Sequence, residues 1–259
     1  ASGVAAASVC LSVVLARIDW HAEAEAAAGR QATEGFAKLP SEEEPGQRDR
    51  PGQRVHQEGG RILAQLAHSG GTVLIGQPGR ESWSASTIRS ETTGNISHEM
   101  TLGEIQEVID AHVSAAQRVA AGGMDGVEIL GAFGFLPQAF LSPLTNRRTD
   151  HYGGALENRM RFLMELLEAV KGALGPDFVL GVRLPGDEFE PGGLDLAQMK
   201  EICSLVSASG LVDYFNIIAH TNITHLGRAR HWSPTPTPHG VFVDLAAADV
   251  RPRACRGLS

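Results

Sequence analysis

From Val55 onward the chain repeats one pattern: a short apolar run bounded by glycine or polar turn text, then a longer segment with apolar residues at helical spacing. Four runs read as strands, at 62–67, 126–130, 178–184 and 214–218. Their nearly unbroken apolar character suits strands buried on both faces of a parallel sheet. Between them, residues 101–121 place Leu102, Ile105, Val108, Ile109, Val113, Ala116 and Val119 on one helical face. Thr101 with Glu104 three residues later has the form of a capping box, and Gly122 and Gly123 mark the end of that helix. A second helix is predicted from about Asn158 to Leu174, facing inward through Phe162, Leu163, Leu166, Leu167 and Val170. Further helices are predicted over 196–209 and 241–248. Strands alternating with helices define an α/β class.

The flanks read differently. Residues 1–54 are alanine-rich and then charged, and the stretch PSEEEPGQRDRPGQ at 40–53 has no apolar period. Text of this kind buries too little surface to order itself. We expect a poorly defined N-terminal segment over 1–54 with a candidate helix across Trp20–Lys38, a barrel body over 55–248, and an irregular tail over 249–259. Both ends read as truncated or out of frame.

With 22 Lys plus Arg against 30 Asp plus Glu, the formal charge of -8 opposes binding to nucleic-acid phosphate or an anionic membrane. A small-molecule partner fits better, with self-association left open. Cys10, Cys203 and Cys255 are too widely spaced for a metal knuckle or a disulfide framework, which points to the reducing cytoplasm. The apolar run at 9–16 is too short to span a bilayer and lacks the basic flank of a signal peptide.

Several longer motifs then narrow the class. They are QLAH at 65–68, GGMDGVEI at 122–129, FLSPLTNRRTDHYGGALENRMRF at 140–162, GVRLPGDEF at 181–189 and HGVFVDLAAA at 239–248. Together they resemble the old yellow enzyme family of NADH:flavin oxidoreductases, on the side of its 2,4-dienoyl-CoA reductase and amine dehydrogenase members. The resemblance implies a (β/α)8 TIM barrel, here incomplete, with the first strand and the last two strands not recognisable. It also implies FMN as cofactor, with NAD(P)H as a reductant, and hydride transfer between the flavin and a small organic substrate.

Carried over residue by residue, the resemblance makes Gln65 a partner of the flavin pyrimidine edge, since an amide both donates and accepts. It places Arg183 near flavin N1 and O2, where a fixed positive charge stabilises the anionic reduced ring. The two are expected side by side at the carboxyl rim of one sheet. The 140–162 block, with Arg147, Arg148, Asp150, Glu157, Arg159 and Arg161, reads as a loop held to the rim by its own charge pairs.

Ene-reductase members carry two hydrogen-bonding side chains and a tyrosine where this chain has Leu130, Phe133 and Phe135. None of these can donate a proton. The catalytic donor is therefore unassigned, and the three residues read either as an apolar wall for a hydrophobic or amine substrate, or as rim packing. Asn216 and His220 are further candidate substrate contacts. Asp187, Glu188 and Glu190 read as rim ion pairs or as partners of a cationic substrate, and His68, Gly79 and Arg80 as flavin-facing or rim residues. The spacing of His220, His225, His231 and His239 suits no metal ligand set. Two other readings stay open: an inactive barrel fragment without a complete flavin site, and a metal-dependent hydrolase.

Overall fold

The computed structural model describes residues 11–17, 51–72, 82–231 and 237–249. Five strands, β1 (Leu11–Arg17), β2 (Arg61–Ala67), β5 (Gly126–Leu130), β6 (Val179–Pro185) and β7 (Tyr214–Ile218), form one all-parallel sheet in the order β1-β2-β5-β6-β7. Between β2 and β5, the short strands β3 (Ser82–Ser84) and β4 (Ser97–Glu99) pair separately, inside a stretch the sequence presents only as a glycine, serine and threonine-rich loop. The helices are α1 (Pro51–Gln57), α2 (Leu102–Ala121), α3 (Leu136–Leu141), α4 (Leu156–Leu174), α5 (Leu196–Ser209), α6 (His225–His231) and α7 (Val243–Asp249). None among the described residues is long and apolar enough to cross a membrane.

One expectation is corrected at the N-terminal side. Residues 1–54 were expected to hold no recognisable strand, yet Leu11–Arg17 pairs with Arg61–Ala67 through all seven positions. Six apolar or small residues followed by an arginine, in parallel register, need only a neighbour, which local text does not reveal. The candidate helix over Trp20–Lys38 and the tail from Val250 lie outside the described residues.

The sheet's two faces have different jobs. Alternate residues Ile62, Ala64 and Leu66, Val127 and Ile129, and Leu180, Val182 and Leu184 are buried in one cluster with the helices. From α2 come Ile105, Val108, Ile109, Ala116 and Val119, and from α4 come Phe162, Leu163, Leu166, Leu167 and Val170. The capping box of α2 forms as its spacing predicts, with the Glu104 amide donating to Thr101 Oγ1 at 3.2 Å and the Thr101 amide to Glu104 Oε2 at 2.7 Å. Leu102 departs from the periodic reading: in the first turn it faces solvent, half exposed. A second box, Asp195 with Gln198, starts α5.

The 140–162 block is held to the rim, but mostly through backbone carbonyls and less through mutual ion pairs. Arg148 pairs with Asp150 at 2.6 Å and donates to the carbonyls of Ala85 (3.1 Å) and Met100 (2.7 Å). Arg159 donates to Leu141 O, Arg161 to His151 O, and Asn146 to both Phe140 O and Tyr152 O. An irregular loop exposes many carbonyls, and a guanidinium with five donors can satisfy several at once.

His112 of α2 is buried, with Nδ1 2.9 Å from Val108 O, and burial pushes its pKa down to about 4. In the unfolded chain a histidine takes up its proton near pH 6.5, so the unfolded state is favoured first as pH falls. Stability from this residue is whole above about pH 6.5 and is lost progressively down to about pH 4, a change on the order of 3 kcal/mol. Urea unfolding at several pH values checks this: His112→Leu is expected to flatten the slope in that window, and an unchanged slope contradicts it.

Candidate functional site on the inner face of the sheet

The residues between the buried ones point away from the helices, and they are mostly small or polar. Register places Gln65, Glu128, Gly181 and Tyr214 opposite one another across β2, β5, β6 and β7. Two residues nearer the carboxyl rim, Leu130, Arg183 and Asn216 form the next row on the same face. Gln65 and Arg183 thus share a face, but β5 stands between them. The expectation that they lie side by side is corrected: they are two strands apart, roughly 10 Å in the pairing direction.

Glu128 is the hub of this face. Fully buried, it accepts from the Gln65 amide, from the Tyr214 hydroxyl at 3.0 Å and from the Asn216 amide at 3.1 Å. Arg183 on the adjacent strand lies within its electrostatic reach. Tyr214 reaches Glu128 by laying its ring across Gly181, where a side-chain carbon would overlap the ring. Burial and the nearby Glu128 carboxylate push the Tyr214 phenol up, so the hydroxyl remains a donor. Asn216, expected as a substrate contact, has its amide committed to Glu128.

Two polar atoms on this face are buried without a partner among the described residues, Gln65 Oε1 and Arg183 Nε. Burial presses the Arg183 guanidinium below its ordinary value, and the Glu128 charge works against that shift.

Above the sheet, the loops that follow β5, β6 and β7 each carry a non-glycine residue in the left-handed region: Phe133 (φ 62°), Phe189 (φ 51°) and His220 (φ 69°). Such conformations are costly for bulky side chains and persist only when the surroundings enforce them. The enforcing contacts are visible. Phe133 covers the Arg183 guanidinium at 4.9 Å and meets the His231 ring edge-on at 4.5 Å. Phe135 lies 6.0 Å from Phe133, while His220 sits between Phe189 at 4.7 Å and Phe242 at 5.3 Å. The Gly134 amide donates to Gln138 Oε1 at 2.6 Å, and Gln138 donates to the buried Glu188 at 2.6 Å, which ties the β5 loop to the β6 loop.

Burial, with Arg230 and His231 close by, pushes the His220 pKa down. Burial and Arg183 do the same at His231, against the pull of the Ala219 carbonyl. The rim is therefore aromatic, with both imidazoles held below their ordinary pKa.

Phe133 and Phe135 are brought together at this rim, with Leu130 just below in the strand. Of the acidic residues, Glu188 is an internal anchor, Asp187 binds loop amides at Phe189 and Leu196, and Glu190 accepts from Thr224. His68 accepts from the Gly70 amide at the end of β2, and Gly79 and Arg80 lie outside the described residues. Among the described residues no three His, Cys, Asp or Glu side chains gather as a metal site.

Sequence reading missed Glu128, Tyr214 and Gln138. The available signal for Glu128 was a lone carboxylate in the middle of GVEIL, a strand otherwise fit for burial on both faces, where an acidic residue persists only if hydrogen-bonded.

A parallel strand wall with helices on one face and a convergent polar cluster on the other, under loops at the carboxyl ends, is the arrangement of a (β/α) barrel. The chain belongs to the NADH:flavin oxidoreductase / NADH oxidase family, whose model matches residues 23–241. It is 37% identical over 202 residues to the N,N-dimethylglycine/sarcosine dehydrogenase of Chromohalobacter salexigens, covering 74% of this chain and 28% of that protein. Among solved structures, histamine dehydrogenase from Rhizobium sp. 4-9 is 30% identical with a TM-score of 0.61, covering 66% of this chain and 25% of that one. The old yellow enzyme homologue from Zymomonas mobilis is 28% identical with a TM-score of 0.59, covering 64% and 50%. The fold is that of the TIM barrel, of which five parallel strands lie among the described residues. The chain spans about a quarter to a half of the length of these relatives.

Proposed function

We propose that the protein is an FMN-dependent oxidoreductase in which Gln65 and Arg183 hold the flavin and the aromatic rim faces the substrate. Bound FMN would supply the hydride chemistry, with NAD(P)H as the reductant. What carries the reading is a pair of buried atoms without a partner among the described residues, an acceptor at Gln65 Oε1 and a donor at Arg183 Nε, on one face of a sheet bearing the family's motifs. A flavin pyrimidine edge presents both an N–H and carbonyl oxygens, so the two suit its opposite needs, and burial strengthens each bond. Arg183 would place its charge where the reduced ring is anionic, and Phe133, stacked on the guanidinium, would limit water there.

For the substrate, we infer an amine or another cationic or hydrophobic small molecule. Leu130, Phe133 and Phe135 offer no proton donor, and the rings of Phe133, Phe189, Phe242, His220 and His231 give a cation aromatic faces. His220 remains a proposed substrate contact, whereas Asn216 would act from below, through Glu128. We assign the barrel body to 55–248 and the protein to the cytoplasm, on charge and cysteine spacing.

The purified chain is expected to bind added FMN and turn yellow. Arg183→Met is expected to weaken FMN binding about tenfold or more, the loss of one charge-assisted bond of about 1.5–3 kcal/mol. Fluorescence titration of the flavin measures both. A chain that takes up no FMN overturns the proposal in favour of the inactive-fragment reading.

A further inference from the structure

We propose that Glu128 is a positioning residue that sets the polarity of the Gln65 amide, so that the carbonyl end, and not the amino end, faces the ligand. This rests on the flavin reading above and deepens it, because it decides which atom of the flavin edge Gln65 recognises.

A glutamine amide is nearly symmetric in shape, with a donor at one end and an acceptor at the other, and by itself it can face a ligand either way. A carboxylate only accepts. Glu128 is fully buried, and three amide or hydroxyl groups converge on it: the Gln65 amide from β2, and the Tyr214 hydroxyl and Asn216 amide from β7. Arg183 on β6 adds a positive charge nearby. Turning the Gln65 carbonyl toward Glu128 would set two acceptors against each other in a buried site and leave the amino group unpaired, both of which are costly.

The amino end is therefore held by Glu128, and Oε1 is the end without a partner among the described residues. An acceptor in that place selects a ring N–H flanked by carbonyls, the imide of the flavin pyrimidine, in preference to a ring nitrogen bearing no hydrogen. Tyr214 and Asn216 share the work by holding the carboxylate from the other side, so that it cannot rotate away from β2.

The test compares FMN with N3-methyl-FMN, titrated by fluorescence into the full chain. Wild type is expected to prefer FMN by tenfold or more, about 1.4 kcal/mol. In E128Q the carboxylate becomes an amide whose donor end can hold the Gln65 carbonyl, so FMN affinity is expected to fall about tenfold while N3-methyl-FMN changes little. The preference then collapses toward unity. Gln65→Met, which deletes the acceptor and keeps Glu128, is expected to collapse the preference to the same value, and it serves should E128Q fail to fold.

Equal loss for both flavins in E128Q marks a purely structural Glu128 and overturns the inference, as does an undiminished preference in either variant. A wild type that binds both flavins equally overturns it while leaving the cofactor reading intact. A wild type that binds neither overturns both.

Discussion

Gly181→Ala is expected to destabilise the chain by about 4 kcal/mol and to remove flavin binding. A methyl group at this position would overlap the Tyr214 ring, which crosses β6 there on its way to Glu128. Neither side yields easily, because β6 is fixed by pairing on both edges, to β5 and to β7. Overpacking of this kind costs about 1–3 kcal/mol, and displacing the ring also loses a hydrogen bond to a carboxylate, worth about 1.5–3 kcal/mol. Urea unfolding midpoints measure the effect. Tyr214→Phe, which loses only the hydrogen bond, is expected to cost about 2 kcal/mol. Removing the ring in Gly181→Ala with Tyr214→Ala should bring the double variant well below the sum of the singles, since the overlap then has no partner. A Gly181→Ala chain with the wild-type midpoint contradicts the packing described here.

Glu188→Ala is expected to have a comparable effect, about 4 kcal/mol, through a different mechanism. The Glu188 carboxylate is buried and accepts from Gln138 Nε2 (2.6 Å), Ser142 Oγ (2.7 Å) and the Leu194 amide (2.7 Å). Burial pushes its carboxyl pKa up against the pull of those donors. Deleting the side chain strands three buried donors, each at about 1–3 kcal/mol, less whatever entering water recovers. Glu188→Gln keeps one acceptor and most of the volume, so it should cost about half as much.

The rim should respond too, since Gln138 also takes the Gly134 amide beside Phe133. Faster proteolysis in the 131–136 loop of Glu188→Ala than of wild type would report that release. A Glu188→Ala midpoint equal to wild type would contradict the assignment of Glu188 as an internal anchor.

The three strained loop residues share a cause with these predictions. Phe133, Phe189 and His220 follow three consecutive strands, and each is held by partners from a neighbouring strand, helix or loop: Phe133 by Arg183 and His231, Phe189 by His220, and His220 by Phe242. The rim is thus braced across loops, and a change at one is expected to be felt at the next.

What was legible in the text, and what was not, follows from the range of the forces involved. The four strands from Ile62 to Ile218, the α2 capping box and the inward faces of α2 and α4 depend on residues within a turn or two of each other, so spacing alone determined them. Gln65 and Arg183 were picked out through motifs, and both stand on the inner face. Leu11–Arg17 was missed because its stabilising partner is β2, some fifty residues away in sequence. The short helices α3 and α6 escaped for a related reason: six or seven residues form too few turns for a period to show, and packing holds them in place.

By itself, then, the sequence determined the alternation of elements, the inward faces of the two long helices, and the family. Only the tertiary structure decided that β5 separates Gln65 from Arg183, that Asn216 and Tyr214 serve Glu128, and that Glu188 is an anchor and not a surface charge. These are matters of register and of hydrogen bonds between strands and loops distant in the chain. A buried carboxylate has no fixed meaning until the fold brings its donors to it, and no local pattern encodes which ones arrive.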